Sequence, residues 1–109
     1  MTFAEYQKES QRTALYPNKG GNYVYPTLGL AGETGEVAEK IKKIIRDKDG
    51  QIGNTDREEL KKELGDVLWY IAQIATELGI DLENIAMENI KKLLSRLERG
   101  QIGGSGDNR

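Results

Sequence analysis

The sequence predicts an all-α fold: a four-helix-bundle-like protomer followed by an irregular glycine-rich tail. Three observations carry that reading. Apolar residues recur at three- and four-residue spacing, with no strand-type alternation along the chain. Glycine and proline clusters cut the chain into four such stretches. The second and third stretches repeat one pattern at a constant offset of thirty residues: Leu30, Glu33, Gly35, Glu36, Val37, Ile41 and Ile44 recur as Leu60, Glu63, Gly65, Asp66, Val67, Ile71 and Ile74.

Each element has local signals. Thr2 and Glu5 form a capping-box pair that opens a first helix running to about Leu15. Pro17, Gly20, Gly21 and Pro26 mark a loop, and a second helix is expected from about Thr27 to Arg46. A turn over 47–54 carries Asp49-Gly50 and Gly53-Asn54. Thr55 and Glu58 form a second capping-box signature, opening a third helix to about Leu78 with Gly79 as its stop. Asp81 is expected to cap a fourth helix, whose apolar positions are Leu82, Ile85, Ile90, Leu93 and Leu97 and whose end is Gly100. Four glycines over 100–109, Gly100 among them, exclude a regular helix there.

Composition narrows the chemistry. The 109 residues suit one domain spanning 1–109, with no membrane-length apolar run and no signal-peptide pattern. Without cysteine there is no disulfide framework, and the expected compartment is the cytoplasm. Without histidine there is no His-ligated zinc or di-iron site and no histidine base. Any metal must therefore take oxygen ligands, which points to Mg²⁺, with Mn²⁺ as a substitute. A net charge of −2 leaves no global basic footprint for nucleic acid.

The acids are the main feature. Glu33 with Glu36, and Glu63 with Asp66, each stand at i, i+3 spacing on one helix face. Glu33 and Glu63 fall within the apolar stripes of their helices, so packing the stripes together drives four acids towards one pocket. That arrangement is costly without protons or a cation to neutralise it. The quartet Glu33, Glu36, Glu63 and Asp66 is therefore the expected metal and catalytic set. Gly35 and Gly65, one between each pair, lower helix propensity by about 1 kcal/mol each, which predicts close backbone approach there. Gly29, Gly32 and Gly35 fit no phosphate-loop spacing and read as tight helix packing.

Other residues admit two readings. Tyr70, one turn beyond Asp66, is either a core tyrosine or a contact for sugar or base beside the metal pocket. Trp69 points about 100° away and reads as a subunit contact. Asn89, Lys92 and Arg96 share one face of the fourth helix. Five basic and two acidic residues over 91–109 make that region either a macrodipole-complementing helix end or a polyphosphate clamp.

Leu28-Gly-Leu-Ala-Gly-Glu-Thr-Gly-Glu-Val-Ala-Glu-Lys40, followed by Lys62-Glu-Leu-Gly-Asp-Val-Leu-Trp-Tyr70, closely resembles the MazG-like all-α nucleoside triphosphate pyrophosphohydrolases. Twenty-six residues separate Glu36 from Glu63, a gap this two-part acidic motif tolerates. The resemblance extends through Asn89 to Arg96 and the tail to Arg109, as in the short single-domain branch. It implies Mg²⁺-dependent cleavage between the α- and β-phosphates, giving a nucleoside monophosphate and pyrophosphate. It makes the quartet the metal-binding acids and places Asn89, Lys92, Arg96 and, in a flexible or substrate-contacting tail, Arg109 at the substrate. It also implies a homodimer or dimer of dimers, while the charge balance and the lack of a membrane-length apolar run lead to the expectation of no nucleic acid or membrane partner. One of the acids, or Glu39 one turn past Glu36, would orient the attacking water. The sequence is equally compatible with related phosphoribosyl-ATP or dUTP hydrolysis, and with a non-catalytic metal-binding assembly module.

Overall fold

The computed structural model describes residues 1–100 together with Gly104 and Gly106. The chain is all-α, with no strand among the described residues. The helices are α1 (Phe3–Ser10), α2 (Val24–Lys48), α3 (Asn54–Glu77) and α4 (Leu82–Glu98), with a 3₁₀ turn over Gln11–Thr13 after α1.

The long helices α2 and α3 form an antiparallel hairpin, and α1 and α4 pack on α3 and on each other. One register runs along the hairpin. Gly29 faces Tyr70, Glu33 lies beside Asp66, and Lys40 Nζ reaches Glu59 at 3.6 Å. The thirty-residue echo thus puts the same motif on two antiparallel helices, and Glu33 meets the acidic pair of α3 midway.

Several boundaries differ from expectation, each for a local reason. Thr2 caps α1 as its sequence signature requires, its Oγ1 accepting the Glu5 N–H at 3.0 Å. The helix stops at Ser10 rather than Leu15 because carbonyls there take other donors. Ser10 Oγ donates to Gln7 O at 2.7 Å, and Ser10 O accepts from both Thr13 Oγ1 (3.0 Å) and the Trp69 indole (3.2 Å). Helix α2 starts at Val24, before Thr27. Pro26 is tolerated in its first turn, where N–H groups have no intrahelical acceptor, and Asn22 Oδ1 takes the Tyr25 N–H at 3.1 Å.

The expected Thr55–Glu58 capping box does not form. Gly53 precedes the helix, and Asp56 accepts the Gly53 N–H at 2.9 Å and Lys48 Nζ at 2.6 Å. Asp81 does occupy the N-cap position of α4 but makes no capping hydrogen bond. Gln7 supplies the cap from α1, its Oε1 accepting the Leu82 N–H at 2.8 Å. Gly79 ends α3 as expected, at φ +69°, and the Ile80 N–H closes back on Ala75 O at 2.8 Å.

The core is thin. The buried apolar side chains are Ala14, Tyr16, Ile44, Ala72, Ala75 and Leu82, with Pro26. Of the predicted stripe residues on α2 and α3 only Ile44 is fully buried. On α4 Leu82 is buried, but Ile85, Met87, Ile90, Leu94 and Leu97 stay exposed. A Cβ added at Gly35 or Gly65 meets nothing within 4 Å, so neither marks a close approach within the protomer; Gly29 does.

Candidate active site

Glu33, Glu63 and Asp66 come together. One oxygen from each lies within 4.8 Å of the others, with Glu33 and Glu63 half-buried and Asp66 exposed. The hairpin register delivers Glu33 from α2 against the i, i+3 pair of α3. Glu36 is exposed, one turn along α2, and does not join this group. The Glu33 carboxyl is pushed above its usual range, first by burial, then by a hydrogen bond with Glu63 and the charges of Asp66, Glu63 and Glu36. Three converging carboxylates, with no histidine or cysteine in the chain, form a donor set fitted to a hard divalent cation.

Glu39 is held elsewhere. It pairs with Lys42 Nζ at 2.9 Å and Lys43 Nζ at 3.8 Å, and the Lys42 hydrogen bond holds its carboxyl below the usual range. Its charge is thus engaged by lysines of its own helix, away from the cluster.

Tyr70 is half-buried, and a side chain at Gly29 would overlap its ring. Its hydroxyl is held above the usual phenol range by burial, and further by Tyr25, Glu33 and Asp66; it stands one turn along α3 from Asp66. The Tyr6 hydroxyl of α1 is likewise held above the usual range, by burial and then by the Asp66 charge. Beyond Tyr70 lies a pocket of about 330 Å³ lined by Tyr16, Pro17, Tyr25, Trp69 and Tyr70. Tyr16 stacks on Tyr25 with centroids 5.0 Å apart, and Trp69 meets Tyr70 edge-on at 5.1 Å. Trp69 is engaged inside the protomer, its indole N–H directed at Thr13 Oγ1 (2.9 Å) and Ser10 O.

On α4, Asn89 is exposed, Lys92 half-buried and Arg96 buried, with Arg96 Nη2 3.4 Å from Gly106 O. Among the described residues no hydrogen bond or ion pair joins α4 to the acids. Arg109 lies outside the described residues. Sequence reasoning missed Tyr6, Tyr16 and Tyr25. The available signal was a ratio of five tyrosines to one phenylalanine, since a buried tyrosine needs somewhere to put its hydroxyl.

The segment that holds the acids and Tyr70 matches a family model, the MazG nucleotide pyrophosphohydrolase domain, over residues 26–100. The chain belongs to that family. A further relative of this MazG protein is the Gene 37 protein of Mycobacterium phage L5, 50% identical over 109 residues, covering 95% of this chain and 96% of the relative. No solved structure matches. The matched span takes in α3, α4 and α2 from Pro26 onward but leaves out α1, the loop carrying Tyr16, and Tyr25 in the first turn of α2. The MazG motif therefore accounts for the acidic group, whereas one wall of the aromatic pocket comes from outside it.

Proposed function

We propose that this chain is a Mg²⁺-dependent nucleoside triphosphate pyrophosphohydrolase, converting a triphosphate and water to the monophosphate and pyrophosphate by cleavage between the α- and β-phosphates. The observation that carries the reading is the convergence of Glu33, Glu63 and Asp66 beside an aromatic pocket, in a chain of the MazG family. Glu36, one turn from Glu33, completes the acidic quartet. A divalent cation held there supplies positive charge to the phosphates, with Mn²⁺ able to stand in. An acid of the quartet left out of metal binding orients the attacking water.

The chain's own residues divide the rest of the work. Tyr70, bordering both the acids and the pocket, contacts the sugar or base. Asn89, Lys92, Arg96 and Arg109 are the proposed polar and basic contacts to the phosphates, and Arg96 Nη2 also stands 3.4 Å from Gly106 O of the tail. No helix among the described residues is long and apolar enough to cross a membrane, and we assign the activity to the cytoplasmic nucleotide pool.

The test is pyrophosphate release from a nucleotide panel that includes dUTP and phosphoribosyl-ATP, with Mg²⁺ or Mn²⁺ and with chelator. Release from one or more members, abolished by chelator, is expected. No turnover of any member with either metal sinks the reading. It would leave a metal-binding assembly module, the reading favoured by the exposed apolar face of α4.

A further inference from the structure

The loop between the 3₁₀ turn and α2 has no regular structure over most of its length, yet one side chain organises it. Glu77, in the last turn of α3, receives three donors from this loop. The Tyr16 hydroxyl donates to Oε1 at 2.6 Å, the Gly20 N–H donates to the same oxygen at 2.9 Å, and the Asn22 N–H donates to Oε2 at 3.3 Å. The loop also closes on itself, through Asn22 Nδ2 to Pro17 O at 2.8 Å. Tyr16 is buried and stacks on Tyr25, and both rings line the pocket next to Trp69 and Tyr70.

Hydrogen bonds to an ionised acceptor are about twice as strong as neutral ones. Three of them converge here on a carboxylate that is not part of the acidic group. Without these three bonds the loop would keep Lys19 Nζ on Gln11 O at 2.9 Å, the Tyr25 N–H on Asn22 Oδ1 at 3.1 Å and the Tyr16–Tyr25 stack, but no hydrogen bond would tie it to α3 or hold the Tyr16 hydroxyl. We infer that Glu77 is a positioning residue: its carboxylate sets the shape of the Tyr16–Tyr25–Trp69–Tyr70 pocket and thereby its selection among planar heteroaromatic rings. This inference deepens the pyrophosphohydrolase reading, since the ring is the nucleobase of its substrate. It concerns ring recognition and involves no step at the phosphates.

Trp69 is the sole tryptophan and lies in the pocket wall, so its fluorescence reports ring binding without turnover. The experiment titrates the full chain, in chelator, with the four common deoxynucleoside monophosphates. Wild type should show a saturable change with unequal affinities. Glu77→Ala should weaken the preferred monophosphate about tenfold and level the ranking, the scale expected when a binding loop must be ordered on association. Glu77→Gln should fall between, because its carboxamide oxygen still accepts from Tyr16 and Gly20 while its NH₂ opposes the Asn22 N–H. In turnover the loss should fall on KM more than on kcat. Inhibition by pyrophosphate, which has no ring, should stay at the wild-type value.

A folded Glu77→Ala with wild-type affinities and ranking overturns the inference, as does an equal loss for pyrophosphate. If Glu77→Ala does not fold, Glu77→Gln and Tyr16→Phe decide, and wild-type ranking in both overturns it. A wild type that releases pyrophosphate without any Trp69 response to monophosphates removes the pocket as a ring site but keeps the hydrolase reading. A Trp69 response that Glu77→Ala weakens, in a chain that hydrolyses no triphosphate, does the reverse.

Discussion

The Tyr70 ring fills the space that a side chain at Gly29 would need, and this contact sits one turn along each helix from the meeting of Glu33 and Asp66. The glycine lets α3 present a large aromatic ring against α2 without spreading the hairpin. The acids and the ring are thus set by one register.

Gly29→Ala should therefore harm activity more than stability. The added methyl must displace the Tyr70 ring, an overpacking cost of about 1–3 kcal/mol, partly offset by a helix-propensity gain of about 1 kcal/mol. Gly35→Ala and Gly65→Ala, with open space at the Cβ, should instead stabilise by up to about 1 kcal/mol each. Thermal melts with turnover on the same preparations check all three. A fall in melting temperature for either of the last two would mean that a neighbouring subunit covers that face.

Glu33 should be destabilising without metal. Its folded-state pKa is raised, so the ionised form is favoured less in the fold than in the unfolded chain, and its stability contribution falls as pH rises through the ordinary carboxylate range towards that raised value. Glu33→Gln should raise the melting temperature in chelator at neutral pH and remove most of the increase that Mg²⁺ gives the wild type. For the wild type that increase corresponds to roughly 2.7 kcal/mol at a hundredfold excess over Kd. Melts with chelator and with Mg²⁺ test both halves; a variant that melts lower in chelator makes Glu33 structural.

Asp66→Asn should lower kcat by orders of magnitude, because it removes a ligand charge at nearly constant volume. Near-normal turnover at saturating Mg²⁺ would take Asp66 out of the site. Lys92→Ala is expected to cost substrate turnover with helix content unchanged by circular dichroism. Wild-type kcat/KM there would return the basic face to a helix-dipole role.

Glu77 gives the opposite pH sign to Glu33. The Tyr16 hydroxyl, the Gly20 and Asn22 N–H groups and the Lys19 charge hold its carboxyl below the usual range. Its contribution is complete above the ordinary value of about 4.3 and is lost as pH falls through the depressed one. Wild type should lose more stability than Glu77→Gln on acidification below that range, read as melting temperature against pH. Parallel curves would show that the Glu77 charge adds nothing.

The apolar stripe Met87, Ile90, Leu94 and Leu97, with Phe3 beside it, is exposed in the protomer. The radius of gyration is 16.7 Å, against about 13 Å for a compact chain of this size. A homodimer or larger oligomer should therefore form through this surface, and Ile90→Lys with Leu94→Lys should dissociate it. Light scattering at micromolar concentration decides, and a monomeric wild type contradicts the expectation.

The sequence by itself determined the helices and the acids. Periodicity, Thr2 with Glu5, and Gly79 are local signals acting within one or two turns, so they survive without knowledge of the fold. The thirty-residue echo made the acidic pairs legible because it repeats the same placement within an apolar stripe. What only the tertiary structure decided were contacts between residues far apart in the chain. Gln7 displaced Asp81 as the cap of α4, Trp69 turned inward to Ser10 and Thr13, and Gly29 rather than Gly35 or Gly65 took the close contact. Glu36 was left outside the converging carboxylates, and Glu77 gathered the loop that carries Tyr16. Each outcome depends on which side chain another helix brings within hydrogen-bonding or van der Waals range. Spacing along one helix carries no information about that.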